Sequence, residues 1–162
     1  MRDYKTEEPV HWFRVFLAFV LLVGCVSFIW GNSILSREQS SKLSMAFANF
    51  VERALRMVSN GENPVFRYLL ANIRKVAHAV EFFVLGSVSI AILQLLNRVN
   101  IHMLLHAVLL LLAVAVTDET IQLFTGRGAM VSDIVLDFCG GMAGLIATSI
   151  LVGLGKLFFS TK

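Results

Sequence analysis

Charged residues are scarce in this chain of 162 residues. Only 15% of the residues are Asp, Glu, Lys or Arg, whereas 57% are hydrophobic. Because ordinary soluble domains carry about 25% charged residues, this composition excludes a typical water-soluble domain. We therefore interpret the chain as a multi-pass protein of the cell membrane with a single domain, 1–162, because spans of about 20 residues and their connections use its whole length.

Cysteines and familiar chemical motifs are also few. Cys25 and Cys139 each lie within an apolar run, which predicts two buried thiols rather than a disulfide or a metal pair. The sequence has no phosphate-binding glycine loop and no dinucleotide-binding G-x-G-x-x-G pattern. Its first apolar run has no A-x-A-like cleavage site, so we expect a retained span rather than a signal peptide.

Four apolar segments are long enough to cross a membrane. The predicted spans cover about 10–30, 76–96, 101–124 and 132–157. In the connection after the first span, apolar residues recur at helical spacing over 43–58, opposite Glu52, Arg53 and Arg56, which predicts an amphipathic interfacial or re-entrant helix. The predicted fold class is therefore an all-α integral membrane protein with four transmembrane helices plus this amphipathic helix.

An even number of spans places both termini on the same side of the membrane. The positive-inside rule does not fix that side, because Lys and Arg are spread nearly evenly and part of them belongs to the amphipathic helix. We expect cytoplasmic termini. The net charge of +3 comes from basic residues that flank apolar segments, so their expected partners are membrane lipids and not nucleic acid. The sequence does not indicate an oligomeric state.

The region 117–141 places four carboxylates and an arginine between the last two spans. A charge at membrane depth costs at least about 2.5–3.5 kcal/mol, so it is retained mainly where it faces partners, water or a ligand. Gly140 and Gly144 continue one stripe of the fourth span, which predicts close helix packing. We interpret Ser132 as the N-cap of that span, because no nucleophile elbow surrounds it. The candidate site residues of this region are Asp118, Glu119, Gln122, Arg127, Asp133 and Asp137.

The second span begins with a matching polar stripe. Arg74, His78 and Glu81 follow i, i+4, i+7 spacing and share one helix face, with Lys75 on its flank. The start of the second span, the end of the third and the start of the fourth must lie at one membrane face. We therefore predict that the charged ends converge in a polar pocket, covered by the amphipathic segment.

The predicted pocket has more carboxylates than cations. Glu81 and the four carboxylates of 117–141 outnumber the positive residues Arg74, Lys75 and Arg127, which leaves a balance of −2 when His78 is neutral. Either carboxylates are protonated on burial, or a cation such as an amine or a divalent metal completes the site. The spacing does not match a metal motif, so we predict no cofactor and keep a divalent cation as an alternative.

Two stretches together resemble a known family. RKVAHAVEFFVLG and TDETIQLFTGRGAMVSDIVLDFCGGMAG, preceded by the loop SREQSSKLS, are similar to the VanZ-like proteins, small multi-pass membrane proteins named for a member linked to low-level teicoplanin resistance. Ala79 stands where that family often has an aromatic residue, and Asp137 where asparagine is common. Over essentially the whole chain, the resemblance implies as functional residues Lys75, His78, Glu81, Asp118, Glu119, Gln122, Arg127, Asp133 and Asp137.

The resemblance and the predicted pocket together favour a non-enzymatic function. We expect binding of an envelope component or an amphiphilic glycopeptide at the charged face, with an effect on teicoplanin susceptibility. One alternative is a membrane hydrolase or transferase that uses the carboxylates and His78 on a lipid head group. Another is an ion-coupled transporter, which is less favoured because the charges crowd one membrane face rather than follow a path through the bilayer.

Overall fold

The computed structural model describes residues 12–35, 38–39, 42, 45–46, 48–50, 52–53, 68 and 70–159. Within them lie four long helices: α1 (Trp12–Ile34), α2 (Ile73–Leu95), α3 (Ile101–Phe124) and α4 (Val131–Phe159). Each is long and apolar enough to cross a membrane. The prediction of an all-α membrane protein with four spans is therefore confirmed.

The helix ends differ from the predicted ends by a few residues. α1 continues to Ile34 instead of ending near residue 30, and α2 begins at Ile73. The interpretation of Ser132 as an N-cap is wrong, because α4 begins at Val131 and the Ser132 hydroxyl donates to the Asp133 carboxylate at 3.2 Å.

The predicted amphipathic helix at 43–58 is covered only in part. Residues 45–46, 48–50 and 52–53 are helical, and the rest of the segment lies outside the described residues. The part of the predicted first span at 10–11 lies outside them as well.

Helix α2 contacts all three other helices, and its contact with α4 is the most extensive. Glycines allow the backbones of these two helices to touch. A Cβ built on Gly140 would lie 2.5 Å from the carbonyl oxygen of Ala79, and one on Gly144 would meet the carbonyl oxygen of Phe83. The small residues of α4 therefore set its distance from α2, as expected for helices that pack in lipid.

The interior of the bundle is apolar along most of its length. Phe82, Leu85 and Leu111 are fully buried there. Large apolar side chains also cover the outer faces, where lipid is their solvent. The expectation of two buried thiols is wrong, because Cys139 is exposed on α4 and Cys25 is half-buried; both are free.

The turn after α3 places an arginine beneath the bundle. Gly126 adopts a left-handed conformation with φ 70, and the amide of Arg127 donates to the carbonyl of Gln122 while that of Gly126 donates to Leu123. These two bonds form a Schellman motif, which ends a helix and reverses the chain. This reversal brings the end of α3 and the start of α4 to one end of the bundle. The end of α1 and the start of α2 lie there too, because Arg127 contacts Asn32 and Arg74 contacts Gln122. We call this end the site face.

Candidate functional site

Three side chains from three different helices meet near the site face. His78 comes from α2, Asp118 from α3 and Asp137 from α4. Each offers one ligand-type atom, and these atoms all lie within 4.8 Å of one another. We call these three residues the central cluster. Asp118 and Asp137 each lie six residues from their helix end, or about 9 Å along the axis at 1.5 Å per residue.

A chain of hydrogen bonds orients one carboxylate of the central cluster. Arg74 Nη2 donates to Gln122 Oε1 at 2.9 Å, and Gln122 Nε2 donates to Asp118 Oδ2 at 2.8 Å. Gln122 is nearly buried and Asp118 is fully buried. The arginine at the start of α2 therefore fixes a carboxylate of α3 through the amide of Gln122.

Several buried atoms of the central cluster have no hydrogen-bond partner among the described residues. These atoms are both carboxylate oxygens of Asp137, Oδ1 of Asp118 and Nδ1 of His78. His78 Nδ1 lies 3.7 Å from Asp118 Oδ2, which is too far for a hydrogen bond. Because buried polar groups are nearly always satisfied, this concentration of unsatisfied atoms makes the cluster a candidate site.

A second group of polar side chains connects α1 to the site. Asn32 Nδ2 donates to Glu81 Oε1 at 2.8 Å, and Arg127 Nη1 donates to the backbone carbonyl of Asn32 at 2.7 Å. Sequence reasoning missed Asn32, because it placed this residue in a loop after the first span. The available signal was the polar pair Asn32 and Ser33, which closely follows the first apolar run. The helix α1 continues through this pair to Ile34.

Arg127 is nearly buried although it lies in a turn. Desolvation lowers the pKa of its guanidinium from the ordinary value, and the neighbouring positive charge of Arg74 lowers it further. An arginine side chain nonetheless stays protonated in proteins. Its charge therefore lies permanently beneath the carboxylates of the site.

The remaining candidate residues lie around this centre. Lys75 Nζ contacts Asp133 Oδ1 at 2.7 Å in an exposed pair that joins α2 to α4. Glu119 Oε2 accepts a hydrogen bond from the amide of Met130 at 3.0 Å, directly before α4, where the partial positive charge of a helix N-terminus favours a carboxylate. All nine residues singled out from the sequence thus lie at the site face. Some, such as Asp118, are buried, and others, such as Lys75 and Asp133, are partly exposed.

Two cavities open beside these residues. The first, of about 660 Å³, runs between α1 and α2 and we call it the apolar groove. The second, of about 330 Å³, lies between α2, α3 and α4 and we call it the polar cavity. Both are lined by Arg74, His78 and Arg127, which form their common wall. The groove is otherwise lined by Gly24, Cys25, Phe28, Ile29, Asn32, Leu35, Ala46, Ala77, Val80, Glu81 and Val84.

The apolar groove reaches deep into the membrane from the site face. Gly24 on α1 lies ten residues before Ile34, and Val84 on α2 lies eleven residues after Ile73. At 1.5 Å per residue both positions are about 15 Å from the site face, or roughly half of a hydrocarbon core about 30 Å thick. The groove thus joins a polar end to an apolar wall, with Ala46 of the first connection also lining it.

Comparison with known proteins identifies a family. No curated protein and no solved structure matched the chain. A family model described as VanZ/LLP1 matches residues 15–152. This match spans all of α2 and α3 and most of α1 and α4, so it includes every residue of the central cluster and of both cavity walls. The chain belongs to the VanZ/LLP1 family.

Proposed function

We propose that this membrane protein binds an acyl-chain-bearing amphiphile of the cell envelope, or an amphiphilic glycopeptide, and thereby affects teicoplanin susceptibility. The observation that carries the proposal is the apolar groove, which starts at charged residues of the site face and continues between α1 and α2. Sites for small molecules are typically clefts of a few hundred Å³ with mostly apolar walls and a few polar groups. The groove, of about 660 Å³, fits this description.

The two ends of the groove suit the two parts of an amphiphile. An acyl chain fits between Phe28 and Val84, where the wall is apolar. A polar head fits at the site face, where Arg74 and Arg127 provide donors for an acidic group. Glu81, which also lines the groove, provides an acceptor for an amine or a hydroxyl group of the same head.

The charge balance narrows the class of head group. The charged side chains that line the groove are two cations, Arg74 and Arg127, and one carboxylate, Glu81. A bare phosphate would leave Glu81 without a donor, so a head group that also carries an amine or hydroxyls suits the groove better. Acylated glycopeptides combine such groups with an apolar chain.

Drug susceptibility tests this proposal. Strains that express the wild type, Arg127→Ala or Glu81→Ala, and a strain without the protein, are compared for growth in teicoplanin and in vancomycin, which lacks the acyl chain. We expect deletion and both substitutions to change teicoplanin susceptibility more than vancomycin susceptibility. Arg98→Ala, in the exposed turn between α2 and α3, is the control for expression and should behave as the wild type. Equal teicoplanin values in all strains would refute the proposal.

A hydrolase or transferase that acts on a lipid head group is the second candidate. It is favoured by the unsatisfied carboxylates beside His78, because such groups serve as general acids and bases. The test is turnover of radiolabelled envelope lipids by the purified protein, with and without divalent metals. Product formation that is lost in Asp137→Asn supports this candidate, whereas absence of product under both conditions counts against it.

A further inference from the structure

We infer that the central cluster binds one divalent transition-metal ion, of the zinc or manganese type, through His78, Asp118 and Asp137. Two of these three ligands, Asp118 and Asp137, do not line the apolar groove of the amphiphile proposal, whereas His78 also forms part of the groove wall. Three helices contribute one ligand each, so a bound ion would join α2, α3 and α4.

The geometry of the three side chains fits a metal ion. Zn²⁺ binds histidine nitrogen and carboxylate oxygen at about 2.0–2.2 Å, so two ligands of one ion lie at most about 4.4 Å apart. The ligand atoms of the cluster already lie within 4.8 Å of one another, and His78 Nδ1 is 3.7 Å from Asp118 Oδ2. A small inward movement of side chains is enough to complete the site.

The burial of the carboxylates is the second, independent observation. Asp137 is 1% exposed and Asp118 is 0% exposed. Neither Asp137 oxygen, nor Oδ1 of Asp118, has a hydrogen-bond partner among the described residues. Burying an ionised carboxylate without a partner is very costly unless it is neutralised or coordinates a metal. A divalent ion provides the missing partner for both side chains at once.

The surroundings resemble those that support metal ligands elsewhere. Residues that ligate a metal are usually held by further hydrogen bonds, which set their orientation. Asp118 is held in this way by Gln122, which Arg74 holds in turn. A charge of +2 at this point would also offset the surplus of two carboxylates at the site face.

The mixture of donors selects the class of metal. Mg²⁺ and Ca²⁺ prefer sites built from oxygen alone, whereas imidazole suits transition metals and carboxylate also suits manganese. One nitrogen and two carboxylates therefore favour Zn²⁺ or Mn²⁺. The polar cavity, which His78 and Asp137 line, gives such an ion a route to water or to a substrate.

The test is metal content of the purified full-length protein in detergent micelles. Bound metal is first removed with a chelator, and separate samples are then dialysed against Zn²⁺, Mn²⁺, Mg²⁺ or Ca²⁺. After excess metal is removed, the metal content of each sample is measured by inductively coupled plasma mass spectrometry. We expect retention of one Zn²⁺ or Mn²⁺ per chain and at least tenfold weaker retention in Asp137→Asn and Asp118→Asn. Glu38→Gln, which removes an exposed carboxylate paired with Lys42, is the matched control and should retain metal as the wild type does.

Thermal unfolding provides a second measurement. Added Zn²⁺ or Mn²⁺ should raise the Tm of the wild type and of Glu38→Gln, but not that of Asp137→Asn. Wild-type protein that retains no stoichiometric metal would overturn the inference, and so would equal retention in Asp137→Asn. Retention of Mg²⁺ or Ca²⁺ alone would overturn the assignment to a transition metal. Because neither measurement uses an amphiphile or a drug, the result is independent of the proposed function.

Discussion

The substitution Gly140→Ala tests whether the contact between α2 and α4 sets the geometry of the site. A Cβ at this position would lie 2.5 Å from the carbonyl oxygen of Ala79, whereas ordinary van der Waals contact begins at 3.4 Å. The two helices must therefore separate by about 0.9 Å locally, because the obstacle is backbone and no side-chain rotation removes it.

The expected cost follows from two opposing effects. Replacing glycine by alanine inside a helix stabilises the helix by about 1 kcal/mol. Overpacking in a tight interior costs about 1–3 kcal/mol, with the upper end expected where backbone meets backbone. Gly153 provides the matched control, because it lies on the same helix with nothing within 4 Å of a Cβ. We therefore expect Gly140→Ala to be less stable than Gly153→Ala by about 1–3 kcal/mol.

The same movement also affects the central cluster. Asp137 lies one helical turn before Gly140, and Ala79 directly follows His78. Separating Gly140 from Ala79 thus moves Asp137 away from His78. In addition to a lower Tm in detergent micelles, followed by tryptophan fluorescence, we expect Gly140→Ala to show at least tenfold weaker metal retention than Gly153→Ala. A Tm for Gly140→Ala that equals or exceeds that of Gly153→Ala would refute the packing argument.

Three smaller effects follow from individual contacts. Asn32→Ala removes the amide that donates to Glu81, so we expect a loss of about 1–3 kcal/mol of stability, measured as a lower Tm. Gly126→Ala forces a left-handed backbone conformation on alanine in otherwise open space, and should cost about 1–2 kcal/mol. Asp133→Asn breaks the exposed pair with Lys75, so its small effect on Tm should disappear at high salt.

Each of these three effects has an outcome that contradicts it. An unchanged Tm in Asn32→Ala would show that its hydrogen bond to Glu81 does not stabilise the fold. A Gly126→Ala protein as stable as the wild type would contradict the Schellman end of α3. A loss in Asp133→Asn that is the same at low and high salt would point to packing rather than to charge.

Much of the fold follows from the sequence because apolar length is a strong signal. Runs such as 101–124 are long enough to span a bilayer, and the bounds of α3 agree with the predicted bounds. The end of α1 was predicted less well, because the predicted span ended near residue 30 and the helix continues to Ile34. In this last turn of α1, the Asn32 amide donates to Glu81 on α2.

The convergence of the nine candidate residues at one end of the bundle was predictable, but their arrangement there was not. Charges at membrane depth single out residues such as His78 and Asp118, and the topology requires their helix ends to meet. Which carboxylate forms an ion pair with a basic side chain depends on side-chain packing between helices. Residue spacing along the sequence does not predict that packing. Asp133 and Asp137 share one helix face, yet the first forms an exposed ion pair with Lys75 and the second is buried without a partner among the described residues.

Binding in the apolar groove is the most direct test of the proposed function. Gly24 lines the groove and has nothing within 4 Å of a Cβ, so Gly24→Phe should fill the groove without disturbing the fold. Gly31→Phe is the matched control, because Gly31 lies on the same helix in equally open space but outside the groove.

The measurement is the affinity of a fluorescent acyl-chain amphiphile for the purified protein in nanodiscs. We expect the wild type and Gly31→Phe to bind it equally, and Gly24→Phe to bind it at least tenfold more weakly. Equal binding by all three proteins would contradict the proposal that the groove between α1 and α2 holds an acyl chain.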